Sequence, residues 1–252
     1  MLAERDRSLI TRSLVQREHY AALARSIKVY DRPLDSLGRY FFGTGDWPAE
    51  VTVATPSGPE TLTLYSVHDM FTVHELFCRH DYEVAADAKT IVDIGSNIGI
   101  SARYFMSHAP GAHLHLFEPV PFNVKRLKAQ LAGHEDSFTL TEAAVAAESC
   151  RVSFGVEPTG RYCGIDAELP ESITVDCIGI NTVLERVLET SDSIDLLKID
   201  TEGAELDTLA AIRPDLLRKI KSIRLETYEN PNPMPERFKG SRQVMIRRLD
   251  AI

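Results

Sequence analysis

Four short segments concentrate the residues that could do chemistry. The first is Val92–Gly99, V-D-I-G-S-N-I-G, an apolar run that enters a turn bounded by Gly95 and Gly99 and then starts a helix. Glycine permits backbone conformations closed to other residues and lets a ligand come close. The N–H groups at a helix start suit a carboxylate or phosphate. The spacing is Gly-x-x-x-Gly, without the middle glycine of the dinucleotide fingerprint Gly-x-Gly-x-x-Gly. Asp93 sits inside the apolar run, where an unpaired carboxylate is costly. A cationic ligand group, such as the amino group of S-adenosylmethionine, would account for it; a carboxylate capping the N–H groups of its own loop is the alternative.

The second segment, His115–Pro119 (H-L-F-E-P), places Glu118 at the end of the next strand, 25 residues after Asp93. An acid there can accept both hydroxyls of a ribose, a device that nicotinamide enzymes share; capping of the helix after Pro119 is the competing role. The third, Thr141–Val145, offers Ala143 and Ala144 beside Glu142 as a flat shelf for adenine, although an alanine pair also serves simple packing. The fourth, Leu196–Glu205 (L-L-K-I-D-T-E-G-A-E), delivers Lys198 and Asp200 from a buried strand, then Glu202, Gly203 and Glu205 at a helix start. Carboxylates at a helix N-terminus gain about 0.3–1 kcal/mol each, which is the alternative role for Glu202 and Glu205. Asp200 differs, because a strand end projects it toward a ligand crevice.

The elements that must position these groups follow from hydrophobic periodicity. Strands are expected at Thr61–Tyr65, Thr90–Ile94, His113–Phe117, within Ser137–Val145, and at Ile173–Cys177, Ile194–Ile199 and Lys221–Glu226. Helices are expected over residues 3–27, from Phe71 to about Arg79, and at Ile100–Ser107, Pro121–Leu131, Ile180–Leu188, Ala204–Ile212 and Ser241–Ala251. Residues 31–60 read as loops and short strands. Strands alternating with helices indicate an α/β fold, a Rossmann-like doubly wound and mostly parallel sheet. Residues 1–60 are expected to form an N-terminal helix-and-loop extension, and residues 61–252 the catalytic domain, lacking a final antiparallel hairpin.

V-D-I-G-S-N-I-G, L-F-E-P-V-P-F-N and I-D-L-L-K-I-D-T-E-G-A-E, in this order and spacing, resemble the FkbM-type methyltransferases. Weaker echoes are His68–Phe77, Ile173–Glu185 and Ile223–Thr227, so that the resemblance covers roughly residues 60–230. It implies S-adenosylmethionine as methyl donor and O-methylation of sugars, polyketides or other natural-product scaffolds. It also implies that Asp93, Gly95, Ser96, Asn97 and Gly99 cradle the amino-acid end of the cofactor. Glu118, with Pro119 beside it, would hold the ribose, and the Glu142, Ala143 and Ala144 shelf read from the third segment would then lie near the adenine. Asp200 and Glu202 would stand at the methyl-transfer site.

A neutral alcohol is a poor nucleophile, so a general base or a metal should assist. Candidate bases are Asp200, Glu202, His68, His74 and Glu226, histidine having the best-matched pKa. The Asp200–Glu202 pair equally suits Mg²⁺, which favours oxygen ligands; base and metal stay open as alternatives. His113 and His115 are expected to pack against helices. Two other classes compete: a nicotinamide-dependent oxidoreductase, which the glycine spacing fits poorly, and a cofactor-binding assembly protein without turnover.

The 252 residues suffice for one α/β domain with an extension, and 44% hydrophobic with 26% charged residues is ordinary for a globular chain. A net charge of -9 argues against a phosphate-gripping surface. The four scattered cysteines form no close pair and suit free thiols in a reducing cytoplasm. The acidic balance points to a neutral or cationic small molecule as partner, which the resemblance makes a hydroxylated one; no membrane span is expected, and oligomerisation is left open.

Overall fold

The computed structural model describes residues 17–156, 164–165, 171–201, 203–228, 238 and 244–249. The chain divides into two compact units, one up to Glu83 and one from Val84. The division falls later than the expected boundary at residue 60, because a hairpin and a further helix belong with the N-terminal helices.

The N-terminal unit contains α1 (Arg17–Val29), α2 (Pro33–Phe42), the antiparallel hairpin β1 (Ala49–Thr55) and β2 (Gly58–Leu64), and α3 (Val67–Val73), which continues as a π-helical turn over His74–Arg79. The part of the expected first helix before Arg17 lies outside the described residues. Helix α2 corrects the expectation of loops there. Pro33 supplies the fixed φ of a first helical position, and Gly43, at φ 61°, ends the helix in the left-handed conformation. Helix α3 starts with a capping box: the Ser66 N–H donates to Asp69 Oδ2 at 2.9 Å, and the Asp69 N–H donates to Ser66 Oγ at 3.3 Å.

The second unit is built on β3 (Thr90–Ile94), α4 (Ile100–His108), β4 (His113–Phe117), α5 (Pro121–Gln130), β5 (Phe138–Thr141), β6 (Ala144–Ala146), β7 (Cys150–Val156), β8 (Gly164–Ile165), β9 (Glu171–Gly179), α6 (Ile180–Leu188), β10 (Ile194–Ile199), α7 (Glu205–Ala211), α8 (Pro214–Leu217), β11 (Ile220–Tyr228) and β12 (Val244–Leu249). Among the described residues the main sheet has the order β12-β11-β10-β3-β4-β5, with every pairing parallel. This is the doubly wound order, with the chain reversing direction of travel between β3 and β10. A smaller sheet, β6-β9-β7-β8, branches off after β5. The expected helix at Ser241–Ala251 is corrected to β12, which pairs in register with β11. Val244, Met245, Ile246 and Leu249 fit either period, and the open edge of β11 decides in favour of a strand.

The central strands are buried on both faces, as parallel sheets require. One face presents Val92, Ile94, Leu197, Ile199, Ile223 and Leu225 to a core completed by Val183, Leu184 and Val187 of α6 and Leu209 of α7. On the other face the register aligns Asp93 with Lys198, and Lys198 with Arg224. All three are buried. Three charged side chains therefore lie side by side across neighbouring strands, with buried Glu226 two residues beyond Arg224 on β11. At the opposite, amino ends of the strands, Asp195 ties β10 to its neighbours by accepting from the N–H groups of Lys89 and Thr90 and pairing with Lys221 at 2.6 Å.

Candidate cofactor and methyl-transfer site

The turn after β3 lies at the switch point, where doubly wound folds bind their ligands. Gly95 has φ +80°, and a Cβ there would overlap the carbonyl oxygen of Asp200. The Asp200 N–H donates to the Ile94 carbonyl at 3.2 Å, so the ends of β3 and β10 are in direct backbone contact. Ser96 knits the turn to β4: its hydroxyl donates to the Asp93 carbonyl at 2.8 Å and accepts from the Phe117 N–H at 3.3 Å. Asn97, at φ 47°, and Gly99, at φ 88°, then lead into α4. Gly99 caps that helix without a side-chain hydrogen bond, so its first-turn N–H groups carry no side-chain partner at the cap.

Asp93 is fully buried. Its Oδ2 accepts from Ser101 Oγ at 2.6 Å, and its Oδ1 pairs with Lys198 Nζ at 3.0 Å. The cation that justifies this carboxylate thus comes from β10 of the same chain. Neither a ligand ammonium nor capping of its own loop is needed to explain it.

Glu118, at the end of β4, is 4% exposed. Its Oε1 accepts from the Val120 N–H at 2.9 Å and from Asn123 Nδ2 at 3.3 Å, while Oε2 accepts from the Asn97 N–H at 2.9 Å. The carboxylate therefore clasps the two strand-end loops together just ahead of α5, which Pro121 opens without a side-chain cap. Burial pushes its carboxyl up to about 7, against the lowering pull of those hydrogen bonds and of Lys198. An ionised carboxylate offers about four acceptor positions; three are used here, which leaves capacity for a ligand hydroxyl.

Ala143 and Ala144 are buried beyond β5, whereas Glu142 is exposed and paired with Lys128 at 2.6 Å. Asp200 has a 27% exposed side chain at the end of β10, with Oδ2 3.4 Å from Lys198 Nζ. Glu226 is buried on β11 near enough to raise the Lys198 pKa through its charge. Glu205 is a structural cap: its Oε1 accepts from the N–H groups of Thr201 and Gly203 at 3.0 and 2.8 Å. Glu202 lies outside the described residues. Among the described residues no group of three or more His, Cys, Asp and Glu side chains is gathered as a metal site.

The histidine candidates sit in the N-terminal unit. His68 meets Phe71 edge-on at 5.8 Å, and buried His74 lies against Tyr40 at 4.3 Å where the π-helical turn begins. His113 and His115 pack against each other, with centroids 5.1 Å apart, and His113 Nε2 lies 2.9 Å from Thr139 Oγ1 on β5. The structure thus brings together Asp93, Gly95, Ser96, Asn97, Glu118 and Asp200 around one crevice end of the sheet. It adds Lys198, to which sequence reasoning assigned no role. The signal was available: a lysine within a strongly apolar strand needs a buried partner.

A parallel doubly wound sheet with a glycine turn and acidic strand ends at its switch point defines a Rossmann-like ligand-binding domain. The Methyltransferase FkbM domain model matches residues 93–250, and the chain belongs to the FkbM methyltransferase family. Three relatives resemble it. The 2-O-methyltransferase NoeI of Sinorhizobium fredii is 30% identical over 165 residues, covering 57% of this chain and 67% of NoeI. The 31-O-demethyl-FK506 methyltransferase FkbM of Streptomyces tacrolimicus is 26% identical over 172 residues, covering 55% and 65%. The AMB antimetabolite synthetase AmbE of Pseudomonas aeruginosa is 26% identical over 176 residues, which are 55% of this chain but only 8% of AmbE. No helix among the described residues is long and apolar enough to cross a membrane.

Proposed function

We propose that the protein transfers a methyl group from S-adenosylmethionine to a hydroxyl oxygen of a small molecule, a sugar or polyketide-type scaffold. The observation that carries this reading is the pairing, across the Gly95 turn, of buried Glu118 on one side with partly exposed Asp200 on the other. Two named relatives, a 2-O-methyltransferase and a 31-O-demethyl-FK506 methyltransferase, support oxygen as the acceptor atom.

The residues present fit such a cofactor. Glu118 would accept a ribose hydroxyl on its remaining acceptor position, and the uncapped first turn of α4 would face a carboxylate. Ala143 and Ala144 would flank the adenine. The bound cofactor supplies an electrophilic methyl group on a sulfonium. Asp200 would accept the hydrogen bond of the acceptor hydroxyl, orient its oxygen and take up its proton. Glu226 and Glu202 are candidates for the same task, and Asp200 with Glu202 for Mg²⁺.

The test is transfer of labelled methyl from S-adenosylmethionine to a panel of sugars and hydroxylated macrolides, with and without Mg²⁺. Asp200→Ala should lower turnover by about 10²–10⁴-fold, the usual worth of a positioned acid–base group. Wild-type turnover in that variant would remove Asp200 from the mechanism.

A further inference from the structure

Lys198 occupies a strand whose neighbours Ile194, Leu196, Leu197 and Ile199 are buried apolar residues, and it is itself 2% exposed. A buried ammonium is tolerated only when paired and hydrogen-bonded. It has three N–H donors, and it meets oxygens from two segments, the end of β3 with its turn and the end of its own strand, as ion pairs with the two aspartates and as a hydrogen bond to the turn. These oxygens are Asp93 Oδ1 at 3.0 Å, the Gly95 carbonyl at 2.9 Å and Asp200 Oδ2 at 3.4 Å. The Ile94 carbonyl lies at 3.5 Å. Asp93 alone would neutralise the charge. The other two partners belong to the glycine turn and to the carboxylate at the crevice, which a simple core ion pair has no reason to recruit. Burial pulls the Lys198 pKa down, but Asp93, Asp200 and Glu226 more than offset this and keep the group protonated.

We propose that Lys198 is a positioning residue for the cofactor crevice: one fixed ammonium holds the Gly95 turn and the Asp200 carboxylate in a single arrangement before any ligand binds. This rests on reading the crevice as an adenosyl site. Lys198 acts through Gly95 and Asp200. It sets the height of the turn over which the cofactor passes and the direction in which Asp200 points.

The test separates this role from that of a mere core pair. Asp93→Asn combined with Lys198→Met removes both buried charges, a change that often leaves stability intact. S-adenosylhomocysteine binding is measured by calorimetry, and the urea midpoint is measured on the same samples. The expected result is a folded double variant with a near wild-type midpoint and affinity weaker by about tenfold, within the range for side chains coupled through one network. Asp200→Asn should then weaken binding in the wild type and add little in the double variant. If the double variant does not fold, Lys198→Arg serves instead. It keeps the charge, but its planar fork cannot direct three donors to the same points, and the same weakening is expected.

Wild-type affinity in the folded double variant, or in Lys198→Arg where that serves, would overturn the proposal and leave the cofactor reading standing. No binding of S-adenosylhomocysteine by the wild-type protein would overturn both.

Discussion

Replacing Gly95 by alanine probes the junction on which the site depends. Two costs arise. At φ +80° an L side chain crowds its own backbone, at about 1–2 kcal/mol. The new Cβ would also overlap the Asp200 carbonyl oxygen and sit 3.0 Å from its carbonyl carbon. That neighbour is backbone, held by the Asp200 N–H to Ile94 bond, so β3 and β10 must separate; overpacking of this kind costs about 1–3 kcal/mol. The total is about 2–5 kcal/mol. Gly133 provides the control. Its φ is +86°, but a Cβ there meets nothing within 4 Å, so Gly133→Ala carries only the dihedral cost of about 1–2 kcal/mol. Urea unfolding at constant m-value reads the difference directly. Gly95→Ala should be the less stable variant by at least about 1 kcal/mol and should bind S-adenosylhomocysteine more weakly. Equal stabilities would refute the contact between the Gly95 turn and Asp200.

Other outcomes follow from the same structure. Glu118, pushed up to about 7 mainly by burial, contributes stability present below its ordinary value of 4.5 and lost as pH rises through 7. His115, brought down to about 4 by burial and then by His113, contributes stability present above 6.5 and lost as pH falls through 4. The two oppose each other over the same range, so Glu118→Gln should leave a urea midpoint that climbs more steeply from pH 4.5 to 6.5, and His115→Asn one that falls; unchanged slopes in both would refute the assignment. Cys150 and Cys177 stand opposite each other on β7 and β9, and both thiols donate to the Glu148 carbonyl, at 3.7 and 3.8 Å. Opposed Cα atoms there are about 4.5–5.5 Å apart, within disulfide range. Hydrogen peroxide, reduced to water as the two thiols lose two hydrogens, should join them within one chain while buried Cys78 stays reduced; peptide mapping that finds no Cys150–Cys177 link would contradict this pairing.

Much of the fold was legible because the parallel core strands announce themselves. Thr90–Ile94 and Ile194–Ile199 are short, mostly apolar runs buried on both faces, His113–Phe117 buries its Leu114 and Leu116 face, and the boundaries of all three agree with the structure. Features set by distant pairing were harder to see. The smaller sheet contains β7, whose alternating Cys150–Val156 acquires a partner only when β9 folds back on it. The strand β12 depends on the free edge of β11. The helix α2 was masked by Gly38 and by the turn residues around it, although Pro33 marked its start.

The same division applies to the site. The glycine turn and the acids at the strand ends could be placed by spacing, since each is local to its own strand end. The partner of Asp93 could not, because Lys198 lies 105 positions later and becomes a neighbour only once β10 is known to lie beside β3. Asp93 needs a cation, and the chain itself provides it through Lys198 rather than through a ligand.

The crevice beside Glu118 and Asp200 is proposed to bind an adenosyl methyl donor. Calorimetric titration of the wild type and Glu118→Ala with S-adenosylmethionine, S-adenosylhomocysteine and NAD tests it most directly. The expected result is micromolar binding of both adenosyl compounds by the wild type, none of NAD, and loss of binding in a folded Glu118→Ala. Binding of NAD in preference, or no adenosyl binding by the folded wild-type protein, would contradict it.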